Sequence, residues 1–469
     1  MMRRSQIRTL ACLGATLLGV IGAALAQSAS GPSDDPQQFL HTPPRPASIR
    51  GDFRLVAIGD LLYSYPLAQS TDPKLRQVIQ LLRGGDLTIG NREGVCFDLN
   101  TFKGHAYGDG QVWCPPAVVR DMQAIGVGMV SVANNHATDW GGEGLLDSLN
   151  LLDAAGIPYA GGGRNLAQAR AAGFIETPKG RVALVSTAST FKANAGADDS
   201  FGEEPGRPGI SILRTRTVEW VTAGQLAMIR RLATERATSL EPAPAPDATE
   251  VRFGDQLYRL APQPGLHYEM NLYDEAGLLQ AVRAAKRQAN LVIFTIHAHE
   301  TATGDDDDTT SPPDFLIKLF HEAVDAGADE IIGGGLHSLR GIEIYKGRPI
   351  LYGMGLFVLR PKIFALQETV LRKYPADPSA PPEGRNHPPA AWYDGLVAVT
   401  EFKGARAVAV RLYPLDLANA SEPGARGVPH LAGPAKARRI LAMLQRESAP
   451  FGTLIAIEGT VGLIRIAPR

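Results

Sequence analysis

Asn134, Asn135, His136 and Asp139 place two amides, an imidazole and a carboxylate within six residues, directly after the apolar run Met129–Ala133. Four other apolar runs stop in the same way. Their tips are Asp60, then Asn91 and Glu93, then His297 and His299, and finally His337. Carboxylate, amide and imidazole groups at successive strand ends are the donor types that hold a hard or borderline divalent metal. Carboxylates suit Mg, Mn or Fe, and imidazoles suit Zn, Mn or Fe. His297 and His299 are two residues apart, so an extended backbone points both to one face. The candidate metal ligands are Asp60, Glu93, Asn135, His297, His299 and His337. The candidate catalytic residues are His136, Asn135 and His297. His136 would stabilise developing charge or protonate a leaving group. Asp139 would orient His136 or cap the helix that follows.

Other chemistries lack local support. There is no Gly-x-Ser-x-Gly nucleophile elbow. Gly161-Gly162-Gly163-Arg164 lacks both Walker and dinucleotide-binding spacing and reads as a turn. The acidic run Asp305–Asp308 reads as a solvated loop.

The elements that must position these groups alternate strand and helix, which predicts an α/β fold. The run FRLVAI from Phe53 is continuous, as in a strand buried on both faces. Helices are expected over Asp72–Leu82, Ala117–Ile125, Glu143–Ala155, Glu275–Gln288, Pro313–Ala326 and Ala435–Gln445. Strands are expected at Leu87–Ile89, Val182–Thr187, Leu291–Ile296, Glu330–Ile332, Leu396–Phe402 and Ala407–Leu412. In Glu143–Ala155 the leucines 145, 146, 149 and 152 form an apolar face, stopped by Gly156 and Pro158. Hairpins are expected in VRFGDQLYRL and around Lys346-Gly347. Residues 214–270, which contain the first hairpin, a helix at Gln225–Arg236 and a Pro/Ala stretch, read as an insertion.

The chain has 469 residues, 44% of them hydrophobic, and a formal charge of −1, so no basic field for nucleic acid is present. Residues 1–26 read as a signal peptide. Arg3, Arg4 and Arg8 precede an apolar segment from Leu10 to Ala24, and Ala24-Leu25-Ala26 fits a cleavage site. The expected location is periplasmic or extracellular, or membrane-anchored if the segment stays uncleaved. Its removal takes the formal charge from −1 to −4. Residues 27–50 read as a disordered linker. Cys12 leaves with the signal. Cys96 and Cys114 then form an isolated pair, able to close a disulfide in an oxidising compartment or to stay as buried thiols.

Taken together, GNREG, SVANNHATDWGGEGLLDSL, AAGIPYAGGG, GRPGIS, IHAHE, PPDFL, DAGAD, GGGLHSLRGIEIYKGRPILYGMG and SAPFGT resemble the CapA family of capsule-synthesis proteins, also called the poly-γ-glutamate synthesis (PGA_cap) family. The resemblance runs from about Phe53 to the C-terminus, within a single domain at 51–469. It implies a four-layer α/β/β/α sandwich similar to calcineurin-like metallophosphoesterases. It also implies that Asp60, Glu93, Asn135, His136, His297 and His337 occupy the metal-site positions. Three positions depart from the family pattern. Gly334 stands where the family has a histidine, Leu356 where it has an asparagine, and Leu62 where true metallophosphoesterases carry a histidine. A two-metal clamp needs a full ligand set, so one divalent ion or none fits better.

Three functions follow from this reading. The first is an exported protein of capsule or poly-γ-glutamate biosynthesis that handles an anionic polymer beside membrane-bound synthase subunits. The second is a metal-dependent hydrolase of a phosphoester or a polymer amide. The third is a non-catalytic polymer-binding protein with a degenerate metal site. Binding an anionic polymer would need a local basic patch, for which Arg92, Arg164, Arg207 and Arg340 are the candidates.

Overall fold

The computed structural model describes residues 48–107, 111–305, 310–360, 362–363, 390–417 and 426–467. The signal segment, most of the linker and most of the acidic run at 305–308 lie outside the described residues.

Two large sheets carry the site. The first is built around strand Asp52–Tyr63, which pairs in parallel with Leu87–Asn91, itself parallel to Met129–Ser131. On its other side Asp52–Tyr63 pairs antiparallel with Asp394–Lys403, and that strand with Arg406–Asp416. The second sheet centres on Leu291–Ala298, parallel to Gly180–Ala188 on one side and to Glu330–Gly335 on the other. Gly180–Ala188 and Leu291–Ala298 are buried along their whole length, as their unbroken apolar sequences require.

Three apolar clusters set the packing. Val78, Ile79, Val118, Met122, Leu145 and Leu149 join helices Pro73–Arg83, Pro116–Ile125 and Gly141–Ala155 to Val56 and Ile58 of the first sheet. Phe53, Leu55 and Ala57 face the other way and pack with Leu184, Ile293 and Ile332 of the second sheet. Val292, Phe294 and Ile331 then meet Leu278, Val282, Leu316 and Leu319 of helices Leu272–Gln288 and Asp314–Ala326. Alternation along one strand thus feeds two different cores.

Helix ends agree with the sequence signals to within a few residues. Asp72 caps Pro73–Arg83 by accepting the Lys74 N–H, and Gly156 ends Gly141–Ala155 in the left-handed conformation. Both expected hairpins form, at Glu250–Phe253 with Gln256–Leu260 and at Ile342–Tyr345 with Arg348–Leu351. The residues read as an insertion form a separate four-stranded sheet. There Thr215–Val221 lies between Gln256–Leu260 and Gly265–Met270. Among the described residues no helix is long and apolar enough to cross a membrane.

One expectation needs correction. Asp60 does not end its strand. The strand runs on to Tyr63 because Leu61–Tyr63 gain a new parallel partner, Leu356–Arg360, with a register shift between Asp60 and Leu61. Gly59 lets the two chains approach there, since a Cβ at this position would lie 2.1 Å from the Gly355 carbonyl oxygen.

Candidate metal centre

The carboxyl ends of the parallel strands in both sheets meet at one point. Asp60, at the register shift, is 1% exposed and Glu93 is fully buried. His297, the penultimate residue of its strand, is 2% exposed. One donor atom from each of these three residues lies within 4.8 Å of the others, an arrangement that could hold a metal ion.

The remaining tips close around this triad. His337 Nε2 lies 3.2 Å from both carboxylate oxygens of Glu93 and 3.9 Å from Asp60 Oδ2. Its backbone has a φ of 61°, uncommon for a residue other than glycine and a mark of a site whose surroundings over-determine it. Asn91 Nδ2 donates to Asp60 Oδ1 at 2.8 Å and to His297 Nδ1 at 3.1 Å. An amide N–H can only donate, so the neutral His297 ring carries its proton on Nε2. Asn135 Oδ1 at 3.0 Å and His299 Nε2 at 3.1 Å face that nitrogen. Asp60, Glu93, Asn135, His297, His299 and His337, all read from sequence as ligand candidates, are therefore brought together.

His136 stands at the edge of the cluster, its side chain 22% exposed and its Nε2 3.9 Å from Glu93 Oε1. Its Nδ1 lies 2.8 Å from Asp139 Oδ2. Asp139 is fully buried. It also accepts the Val112 N–H at 2.7 Å and pairs with Lys192 Nζ at 2.5 Å. Orienting His136 is thus the role Asp139 fills. The helix that follows is capped by Trp140, without a side-chain hydrogen bond.

Electrostatics separate the two acids. Burial lifts Asp60 to about 7, with the negative charge of Glu93 adding to the effect. Burial acts the same way on Glu93, but the charge and hydrogen bond of His337, helped by His297 and His136, hold it well below the usual carboxylate range. Burial keeps His297 neutral and, with the positive field of His337, lowers His299 to about 4. Burial also opposes a charge on His337, yet Glu93 and Asp60 raise it above its ordinary value. The centre thus pairs one firmly ionised carboxylate and a His337 ring that favours its charged form with neutral His297 and His299 rings.

Several supporting residues hold the ligand segments in place, of which Thr190 and Trp392 carried no clear sequence signal. Asn134 donates to the Arg92 carbonyl and accepts the Gly94 and His136 N–H groups, which ties the Glu93 and His136 segments together. Thr190 Oγ1 accepts the His299 N–H and donates to the Glu300 carboxylate. Half-buried Trp392 meets the His337 ring edge-on at 4.4 Å. Gly334, where the family pattern has a histidine, brings no side chain to the site and passes tightly beside Asp60. A Cβ there would lie 3.3 Å from Asp60 Oδ1, its nearest neighbour. The basic-patch expectation fails for two members. Arg92 is fully buried and Arg340 is 2% exposed, both held by backbone carbonyls, whereas Arg164 and Arg207 are exposed.

Comparison with known proteins agrees with the motif resemblance. Residues 54–360 match the model of the family described as bacterial capsule synthesis protein PGA_cap. The uncharacterized protein y4sH of Sinorhizobium fredii is 38% identical over 436 residues, covering 88% of this chain and 93% of that protein. A probable polyglutamine synthesis accessory protein of Mycobacterium tuberculosis is 26% identical over 245 residues, or 51% of this chain and 47% of the relative. The capsule biosynthesis protein CapA of Bacillus anthracis is 23% identical over 328 residues, covering 68% and 63%. The chain belongs to the bacterial capsule synthesis protein (PGA_cap) family.

Proposed function

We propose that this protein is exported and serves the synthesis of an anionic capsule or poly-γ-glutamate-like polymer, using a single divalent cation held at the strand ends. The observation that carries the cation is chemical. Among the described residues Asp60 Oδ2 is buried without a hydrogen-bond partner, and Glu93 is an ionised carboxylate faced by the His337, His297 and His136 rings. A buried acceptor without a donor costs free energy that a cation would offset. Asp60, Glu93 and His297 would hold the ion, with Asn135, His299 and His337 around it. Mn or Fe suits this mixture of carboxylate and imidazole best. The lack of a ligand side chain at Gly334 supports one ion rather than two. The succession of helices, two sheets and helices is what a metallophosphoesterase-like four-layer sandwich would give, and such folds place their metals at these strand ends.

A bound divalent ion would act as a Lewis acid on a phosphoryl or carbonyl oxygen. Within the protein, His136 is the group placed to move a proton. Asp139 fixes its Nδ1, so Nε2 faces the cluster and the solvent edge. Asn135 orients His297, and Asn91 orients both Asp60 and His297. This constellation favours metal-dependent hydrolysis of a phosphoester or polymer amide over passive binding, because passive binding has no use for an oriented imidazole. Polymer contact would fall to the exposed Arg164 and Arg207.

The test is complementation. A host strain lacking the protein should lose surface anionic polymer and regain it with the wild-type chain but not with Asp60→Asn. Unchanged polymer in the deletion strain would sink the biosynthetic role. Full rescue by Asp60→Asn would sink a working cation site.

A further inference from the structure

The two arms of the site, Glu93 on one side and the His136–Asp139 pair on the other, are each tied to one half of the disulfide between Cys96 and Cys114. Cys96 ends the two-residue strand Val95–Cys96, which lies in parallel register against Val112–Cys114 with Cys96 opposite Cys114. On the Cys96 side the tie is Arg92. Its Nε donates to Cys96 Sγ at 3.2 Å. Its Nη1 donates to the carbonyl of Leu61, the residue after Asp60, at 3.1 Å, and to the carbonyl of Glu93. One fully buried guanidinium thus links the Glu93 backbone, and the backbone one residue past Asp60, to the disulfide sulfur. On the Cys114 side the tie is Val112, whose N–H donates to Asp139 Oδ2 at 2.7 Å, the same oxygen that holds His136 Nδ1 at 2.8 Å. The two halves also touch directly. Gly94, at a φ of 96°, lies so close to Val112 that a Cβ there would meet Val112 Cγ1 at 2.6 Å.

Resting on the cation site proposed above, we infer that the Cys96–Cys114 bond is a redox-dependent brace. In the disulfide form the Glu93 and Asp139 arms are locked in register and the chain binds its divalent cation tightly. In the dithiol form the same chain is folded but binds the cation weakly. Without the bond, Val95–Cys96 is an edge strand joined to Val112–Cys114 over only two residue pairs, while Val112–Cys114 keeps its other partner Lys362–Ile363, and so short an edge is weakly held. Its loosening frees the Val112 N–H from Asp139 and the Arg92 tether from Cys96. Displacements near 1 Å at either arm then suffice to lower affinity, because ligand geometry is set by these outer hydrogen bonds.

Closure of the bond is a dithiol–disulfide exchange. The thiolate of one cysteine attacks a disulfide of an oxidising protein partner, and the second cysteine displaces that partner. Two thiols here become one disulfide, and the partner leaves as a dithiol carrying the two electrons and two protons. Cys96 and Cys114 are 1% and 0% exposed, so exchange is confined to the loosened form and the closed brace is shielded from reductants. The consequence is a chain that holds its cation tightly only after oxidation.

The test measures Mn2+ binding by calorimetry on the oxidised full-length protein and on Cys96→Ala/Cys114→Ala, with circular dichroism and thermal melts to establish folding. The expected result is one Mn2+ bound by the oxidised protein and at least tenfold weaker binding by the folded double variant. Equal affinity in a folded double variant overturns the inference while leaving the cation site intact. No Mn2+ binding by the oxidised wild type overturns the cation site and the brace with it. If the double variant does not fold, Arg92→Lys with its disulfide retained decides. The brace requires a severalfold weaker affinity in that variant, and unchanged affinity overturns it.

Discussion

Two groups of buried acids sit at opposite ends of the strand Glu330–Gly335 and its neighbours. At the amino end, fully buried Asp329 is met by Lys286 Nζ at 2.5 Å, Arg348 Nη1 at 2.9 Å and the Val292 N–H at 2.9 Å. Beside it Glu330 is also fully buried, and among the described residues no cation pairs with it. Burial lifts its carboxyl to about 8, against the pull of the Thr400 hydroxyl and with the Asp329 charge adding to the rise. At the carboxyl end Asp60 and Glu93 are equally buried, but their partners are amides and imidazoles. Burial and a raised acid are therefore common to both ends and do not mark a site. What differs is the partner. Lysine and arginine neutralise an acid permanently, and a lone acid such as Glu330 stays protonated. Only at the carboxyl end do several acceptors and lone pairs converge on one point without a fixed cation.

The largest expected effect lies at the amino end. Asp329→Ala strands Lys286 and Arg348 against the buried strand start and should lower unfolding free energy by about 3–5 kcal/mol, with Mn2+ affinity unchanged. Chemical denaturation with calorimetry measures both, and a large change in affinity would mean that the two ends are coupled rather than independent.

Glu330→Gln should do the reverse. The folded chain holds a proton on Glu330 up to about 8, whereas the unfolded chain releases it near 4.5. Between those values the folded state binds the extra proton, so wild-type stability falls as pH rises, and the slope from this group vanishes above the folded value. The glutamine variant lacks that loss. It should be more stable than wild type at pH 8.5 by roughly 4–5 kcal/mol and nearly equal at pH 4. Denaturation across that range checks the sign, and a variant less stable at high pH contradicts it.

At the carboxyl end, Asp60→Asn should weaken Mn2+ binding at least 100-fold, about 2.7 kcal/mol. It should not destabilise the metal-free protein, because it removes a costly buried charge. Loss of stability on the scale expected for Asp329→Ala would place Asp60 in the same class as Asp329. The smallest effect is expected from His136→Ala, which should change Mn2+ affinity only a fewfold while abolishing Mn-stimulated cleavage of a chromogenic phosphodiester. Retained cleavage would remove His136 from the proton-transfer role.

Much of this was legible in the sequence because it rests on local pattern. Continuous apolar runs gave the buried strands, and a polar tip after each run located the converging side chains. Asp139 beside His136 could be read as its orienting group because both lie in one short segment. What was not legible depends on distant partners. Asp60 reads as a strand tip, yet its strand continues because Leu356–Arg360 supplies a second edge. Arg92 and Arg340 read as surface cations, yet carbonyls of Leu61 and Glu300 draw them inward, and nothing adjacent in sequence signals that. Trp392 reaches His337 from another part of the chain, with no motif to announce it. The inner strand of the 215–270 sheet pairs in parallel with Gln256–Leu260, a non-local contact that a hairpin signal does not contain.

The central claim is that Asp60, Glu93 and His297 form a cation site and the acids at the other end do not. Metal analysis of protein purified without chelator, for wild type, Asp60→Asn and Asp329→Asn in parallel, tests it most directly. The account predicts close to one transition metal per chain in wild type and in Asp329→Asn, and almost none in Asp60→Asn. A wild type without metal that also fails to take up Mn2+ or Fe2+ on addition, or an Asp60→Asn variant that keeps its full complement, would contradict it.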